Sequence, residues 1–490
     1  MTSSGQISVI TGMLALAVAL APVPAVAEPY ETVINNGDAQ NRIDIVILGD
    51  GYTAAELQKY RSDVQLGLPF FFEEEPFREY RSYFNVHRID VTSNQSGADH
   101  PERSFLVDTA LDATYNCTGI QRVICVNNSK VLTIVANTLA PAQRDLIIVV
   151  VNDPEYGGSG GSVVVSSTNE SIVEVVLHEV GHTLGLLADE YAGPPPPECD
   201  NSFEPPEVNV TRETERALIK WSAWIDAGTP VPTTSSTPGV PGLYEGARYC
   251  DSGLFRPTFM SKMRDVDLPF EQINTEQLIK RYYNLVSPID SSLPVADFLN
   301  LDSANSLTFG VSVLAPLTHN LNASWSVDGQ PRATGLAFVL AGSSVAAGPH
   351  SIALEVSDPA TQVRNDPDEL LRAQRTWTVT VAADADGDGI PDSSDNCTLV
   401  SNPTQLDANG DGYGNICDAD LNNSGLVTTA DFGILRSVLN QSASASPTAA
   451  AADLNGSGTV TTADFGILRA RLNTAPGPSG LACAGTIPCP

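Results

Sequence analysis

Positive charge is scarce in this chain. Its 490 residues hold 26 basic side chains and six histidines against 58 acidic ones, a net charge of −32. Nucleic acids and anionic lipid surfaces need a basic face, so the balance argues against both as partners. None of the eight cysteines stands in a CxxC spacing, which argues against a thiolate zinc site. No charged side chain occurs in residues 1–27, and no apolar run is long enough for a confident membrane span. From residue 384 onward glutamate and lysine are missing: twelve Asp face three Arg over 107 residues. An acidic surplus serves either a solvated surface or carboxylate-rich metal sites.

What is present fits several domains. Apolar residues make up 42%, enough for buried cores, and at about 150 residues per domain the length gives roughly three. The uncharged start contains the run Met13-Leu14-Ala15-Leu16-Ala17-Val18-Ala19-Leu20 and then Ala25-Val26-Ala27. This pattern reads as a secretory signal peptide over 1–27, with the mature protein starting near Glu28 and leaving the cytosol. The expected location is secreted, extracellular or at the cell surface. An even cysteine count in an exported chain favours disulfides. The cysteines fall in local pairs, Cys117/Cys125, Cys199/Cys250, Cys397/Cys417 and Cys483/Cys489, with connectivity left open.

Residues 28–287 read as mixed α/β. Ile43 to Leu48 and Leu146 to Val151 look like buried strands, with Val163 to Val165 a third after the turn Gly157-Gly158-Ser159-Gly160-Gly161. Thr53 to Gly67 has helical composition, opened by a Thr53/Glu56 capping box. Over 290–383 five short alternating runs (306–315, 323–328, 335–341, 350–357 and 375–382) predict a small β-sandwich. Residues 420–439 and 453–472 match at 16 of 20 positions, separated by an Ala/Ser linker over 441–452. The expected fold class is therefore multidomain: a mixed α/β domain, a β-sandwich, and loop-and-helix repeats at the C-terminus.

The densest chemistry lies at 171–191. Ser171 and Glu174 fit a second capping box, and Ile172, Val173, Val176, Leu177, Val180 and Leu184 form an apolar helix surface. On that helix sits His178-Glu179-Val180-Gly181-His182. Histidines at i and i+4 share a face, so both imidazoles can reach one Zn²⁺, and Glu179 projects toward the water side. Zinc acidifies water and polarises a carbonyl, while the glutamate moves the proton to the leaving amine. A third ligand is needed. Gly185 lets the chain turn back, position 188 is Ala188, and the first carboxylate beyond it is Asp189, with Glu190 beside it as the alternative.

These residues resemble metallopeptidase family sixty-four, whose founding member is a bacterial IgA-specific peptidase. The likeness runs through HEVGHTLGLLADEY (178–191), NRIDIVILGDGYT (41–53), EPFREYRSYFNVHRIDVTSNQSGADHP (75–101), an EP…NVT segment near 205–211, and LYEGARYCDSGLFRPTFMSKMR (243–264). It implies a zincin-like zinc endopeptidase acting on protein or peptide substrates, with His178 and His182 as ligands and Glu179 as general base. A methionine turn under the zinc would fall at Met263, with Met260 its rival. The resemblance does not imply IgA as substrate.

The acidic end carries its own pattern. Asp384, Asp386, Asp388, Asp392 and Asp395 resemble a thrombospondin type 3 repeat, and Asp407, Asn409 and Asp411 a less regular second copy, ending at Cys417-Asp418 (384–418). Oxygens alternating with glycine let a short loop close on Ca²⁺. The tandem repeats of 420–472 resemble type I dockerins, followed by a tail over 473–490. Their ligand positions are Asp420, Asn422, Ser424 and Asp431, then Asp453, Asn455, Ser457 and Asp464, with Gly425 and Gly458 at the turns. A dockerin implies a cohesin-like partner. The competing reading is a calcium-dependent adhesion or scaffold protein carrying an inactive peptidase domain.

Overall fold

The computed structural model describes residues 27–193 and 199–489, so the expected signal peptide lies almost wholly outside the described residues. The chain forms two compact units. It is mixed α/β with several sheets and few helices.

The first unit comprises 27–35, 44–71 and 85–183. Its sheet contains β1 (Tyr30–Ile34), β2 (Ile43–Asp50), β3 (Phe84–Ile89), β4 (Leu146–Val151), β5 (Gly158–Ser159) and β6 (Val164–Ser167), in the order β1-β3-β2-β4-β6-β5. The β2–β4 and β4–β6 pairs are parallel, whereas β5 closes the edge antiparallel to β6. The all-apolar run of β4 is buried throughout, as the centre of a parallel sheet covered on both faces requires. Three helices complete the unit: α1 (Leu57–Phe71), α2 (Asn128–Thr138) and α3 (Ile172–Thr183). α1 starts later and ends later than the sequence predicts. Glu56 accepts from both the amide and the hydroxyl of Thr53, but that bond closes a turn ahead of the helix. The buried Tyr60, Val64 and Phe71 carry the helix on to Phe71. Gly51 is obligatory where it stands: its φ is 71°, and a Cβ there would meet the Gly97 carbonyl at 2.1 Å.

The second unit comprises 36–43, 72–84 and 184–489. It begins with the hairpin of β7 (Tyr244–Ala247) and β8 (Cys250–Arg256), followed by α4 (Glu271–Leu285). Next come β9 (Ile289–Leu293), β10 (Phe298–Leu301), β11 (Ser306–Val313), β12 (Asn322–Val327), β13 (Gln330–Thr334), β14 (Ala337–Ala341), β15 (Gly348–Ser357) and β16 (Arg372–Val381). They form a five-stranded sheet, β10-β16-β15-β12-β13, and a three-stranded sheet, β14-β11-β9. One core joins the inner faces, built around Phe309, Trp325, Phe338 and Trp377. The five predicted runs correspond to β11, β12, β14, β15 and β16. β13 is added through Asp328-Gly329, whose φ values of 51° and 75° make the Asp-Gly hairpin turn.

Three short helices end the chain: α5 (Thr429–Ser437), α6 (Pro447–Ala452) and α7 (Thr462–Ala470). The expected linker is a structural piece instead. α6 lies inside it, and Ala449 and Ala452 are fully buried with Val427, Leu435, Leu454, Val460 and Leu468. Alanine is used there because the two repeats leave too little room for a larger side chain. All four cysteine pairs are disulfides in the local pairing. Among the described residues no helix is long and apolar enough to cross a membrane.

Candidate metal centres

α3 is held by its apolar side: Val176, Leu177 and Val180 are buried. The opposite side brings His178, Glu179 and His182 together, each offering an atom within 4.8 Å of the others. The Nε2 atoms of His178 and His182 stand 3.2 Å apart with the rings at 89°. Two nitrogens at about 2.0–2.1 Å from a tetrahedral Zn²⁺ are separated by roughly 3.3 Å, so the pair fits that ion. His178 is buried, and Glu179 and His182 are half-buried.

The glycine-rich turn before β6 lies against this helix. A Cβ on Gly158 would stand 2.6 Å from Val175 Cγ1. The Gly161 amide donates to Thr183 Oγ1 at 3.3 Å. From the sequence alone Gly157 to Gly161 reads only as a turn. Its glycine density was the signal that backbone must approach a helix closely.

In the second unit the chain at 184–193 makes its sharp turn at Leu186, φ 55°, rather than relying on Gly185 as the sequence suggests. One face of α4 receives it: Arg281 donates to the Leu184 carbonyl, Gln277 to that of Gly185, and Asn274 to Glu190 Oε1. Asn209 clamps the next residues, accepting from the Ala188 amide and donating to both the Ala188 carbonyl and Glu190. Glu190 is fully buried and also accepts from Ser261 Oγ at 2.6 Å, while its amide donates to the Met263 carbonyl. Burial pushes the Glu190 carboxyl up, opposed by these three side-chain donors. Glu190 is thereby engaged as an anchor. Asp189 is buried too, and its Oδ2 accepts from the Tyr249 hydroxyl. Met263 is fully buried in the turn that holds Glu190.

The acidic end forms a series of loops. Asp384, Asp386 and Asp388 converge within 4.8 Å. Asp386 Oδ2 and Asp395 Oδ2 are buried without a hydrogen-bond donor, the arrangement expected of oxygens that face a cation. Asp392 accepts from the Ala385 amide across the same loop. In the second copy Asp407 accepts from the Gly410 and Gly412 amides, and Asn409 donates to Asp411 and Asp418. Asp418 was missed as a candidate, although it follows Asp407 at the spacing that separates Asp395 from Asp384. It is buried, and burial together with the charges of Asp411 and Asp420 pushes its carboxyl up to about 7.

The two repeats are nearly superimposable in their bonding. Asp420 accepts from Ser424 and Gly425, and Asp453 from Ser457 and Gly458. Asp431 accepts from Asn422 and Thr428, and Asp464 from Asn455 and Thr461. The twelfth carboxylate of each loop thus also caps the helix that follows, and all four aspartates are buried.

Residues 32–238 match the profile of the family IgA Peptidase M64, residues 418–473 that of the Dockerin type I domain, and residues 382–405 that of the Thrombospondin type 3 repeat. No curated protein matches the chain. Among solved structures, a quinonprotein alcohol dehydrogenase-like protein from Bacteroides thetaiotaomicron is 11% identical with a TM-score of 0.15. That likeness covers 19% of this chain and 20% of the other.

Proposed function

We propose that the chain is a secreted zinc endopeptidase whose C-terminal loops hold Ca²⁺ and attach it to a cohesin-like partner. The peptidase domain would span 28–287, the β-sandwich 290–383, the thrombospondin-like loops 384–418 and the dockerin-like repeats 420–472. The observation that carries the reading is the 3.2 Å separation of the two histidine nitrogens with Glu179 beside them on one helix. The match of 32–238 to a peptidase family supports it independently.

His178, His182 and Asp189 would hold the ion. Bound zinc supplies Lewis acidity toward the scissile carbonyl and the attacking water. Glu179 takes the proton of that water and returns it to the departing amine nitrogen. The apolar side of α3, buried among β-strands, keeps the helix from rotating and so keeps both histidines on one bearing. Glu190 holds the turn that carries Asp189. At the other end Asp420, Asn422, Ser424 and Asp431, with Asp453, Asn455, Ser457 and Asp464, would bind Ca²⁺ in two loops. Asp384, Asp386, Asp388, Asp392, Asp395, Asp407, Asn409 and Asp411 would serve the preceding pair, joined by Asp418.

The decisive experiment is Glu179→Gln in the full chain, with zinc content and casein hydrolysis both measured. The expected result is retained zinc with hydrolysis abolished. Near-normal turnover in that variant would rule the mechanism out.

A further inference from the structure

We infer that Tyr249 is a positioning residue of the zinc centre, fixing the Asp189 carboxylate in the orientation from which it ligates. The inference rests on the reading of Asp189 as the third ligand. A carboxylate on a turn can rotate about its terminal torsion, and a ligand that must be immobilised when the ion arrives binds less tightly. The Tyr249 hydroxyl donates to Asp189 Oδ2 and removes that freedom, as hydrogen-bonding partners of metal ligands commonly do.

The tyrosine is itself held from several sides. Its ring packs edge-on against Tyr191, with centroids 5.3 Å apart at 72°. Its amide donates to the Tyr191 carbonyl at 3.0 Å and its carbonyl accepts from the Gly193 amide. The preceding amide, of Arg248, donates to the carbonyl of Asp189 at 2.9 Å. The two segments are therefore paired along their backbones as well as through the hydroxyl. Next in the chain, Cys250 is tied to Cys199.

This pairing has a conformational signature. Arg248 and Tyr249 are consecutive non-glycine residues in the left-handed region, with φ of 49° and 65°. They are the two loop residues of the β7–β8 hairpin, where a two-residue turn takes positive φ at both positions. Here they occur where a phenol is delivered to the carboxylate. A glycine pair would make the turn without cost but would deliver no hydroxyl.

The test uses the full-length protein with Tyr249→Phe and Asp189→Asn. Phenylalanine keeps the ring packing and the backbone bonds and removes one oxygen. Metal-free samples are titrated with zinc in competition with a chromophoric chelator, and their thermal midpoints are measured without metal. Tyr249→Phe is expected to weaken zinc binding about 10- to 100-fold, with the metal-free midpoint unchanged, and Asp189→Asn to weaken binding further. Wild-type zinc affinity in Tyr249→Phe overturns the inference, as does a metal-free midpoint that falls in step with affinity. If Asp189→Asn still loses zinc in either case, the ligand reading survives. Wild-type affinity in Asp189→Asn removes that reading and the inference together.

Discussion

Gly160 lies so close to Glu179 that a Cβ on the glycine would stand 2.8 Å from the carboxylate Oε2 and 3.2 Å from the Glu179 carbonyl oxygen. It would also meet His182 Cβ at 3.2 Å. A methyl group placed there must displace the carboxylate, the movable neighbour, and presses less closely on the Glu179 carbonyl and His182 Cβ. Proton transfer is sensitive to such displacement, since about 1 Å of misplacement can cost on the order of 100-fold in rate. Gly160→Ala is therefore expected to lower kcat about 10- to 100-fold with bound zinc retained. Steady-state kinetics alongside metal analysis checks both halves; unchanged kcat would mean the glycine turn has no hold on the base.

Glu190 should behave as a structural anchor. Replacing it by alanine leaves donors of Asn209, Asn274 and Ser261 facing an apolar methyl in a fully buried site. An orphaned buried donor costs about 1–3 kcal/mol, so Glu190→Ala should lose on the order of 3–5 kcal/mol even after partial relaxation. Denaturant unfolding of the metal-free protein measures this. A loss confined to the zinc-loaded protein would instead make Glu190 a ligand.

Trp377 is fully buried between the two sheets, with its ring 5.8 Å from Trp325 and 5.1 Å from Phe309. Its indole nitrogen donates to the Pro294 carbonyl at 2.8 Å. Trp377→Ala opens a cavity too large to collapse and is expected to cost about 3–5 kcal/mol. The readout is the unfolding transition that includes the β-sandwich, and a shift under about 1 kcal/mol would contradict the packing described.

The histidine pair was legible because helical spacing alone fixes which residues share a face. The duplicated loops were legible because a repeat carries its own phase. Less could be read where contacts are distant in sequence. Nothing local to Asn209, Asn274 or Ser261 announces that all three converge on Glu190, since they come from three separate segments. Strands such as β10 were missed because Phe298 to Leu301 is only four residues long, and the exposed apolar Phe298 hides the inward face made by Leu299 and Leu301. The linker over 441–452 was misread for the opposite reason. Its composition is that of a spacer, but Ala449 and Ala452 are small because they are packed.

Calcium should control the order of the chain from 384 onward and leave the rest folded. The core of the two repeats is real but thin: beyond Leu435, Leu454, Leu468 and the Phe432–Phe465 contact at 4.9 Å, it is mostly alanine and valine. Against it stand buried aspartates, Asp420, Asp431, Asp453 and Asp464, and the buried Asp395, Asp411 and Asp418 of the preceding loops. Uncompensated carboxylates at such density oppose folding, and a bound cation reverses the sign of that contribution. Backbone amides satisfy part of the charge, which is why the loops keep their shape, but amide dipoles do not neutralise it. EGTA removes calcium but also binds zinc, so proteolysis of the full-length protein is compared in EGTA and in excess Ca²⁺, and peptide hydrolysis is measured after the chelator is removed and zinc alone restored. Limited proteolysis is expected to cut within 384–489 in EGTA and to spare that region with calcium, while hydrolysis of a short peptide substrate stays unchanged. Asp431→Ala should shift the calcium midpoint upward more than Ser424→Ala, because the aspartate supplies both a charge to the loop and the cap to α5, whereas the serine supplies one neutral oxygen. Equal protection of 384–489 in EGTA and in calcium would show that the carboxylates are carried without a cation.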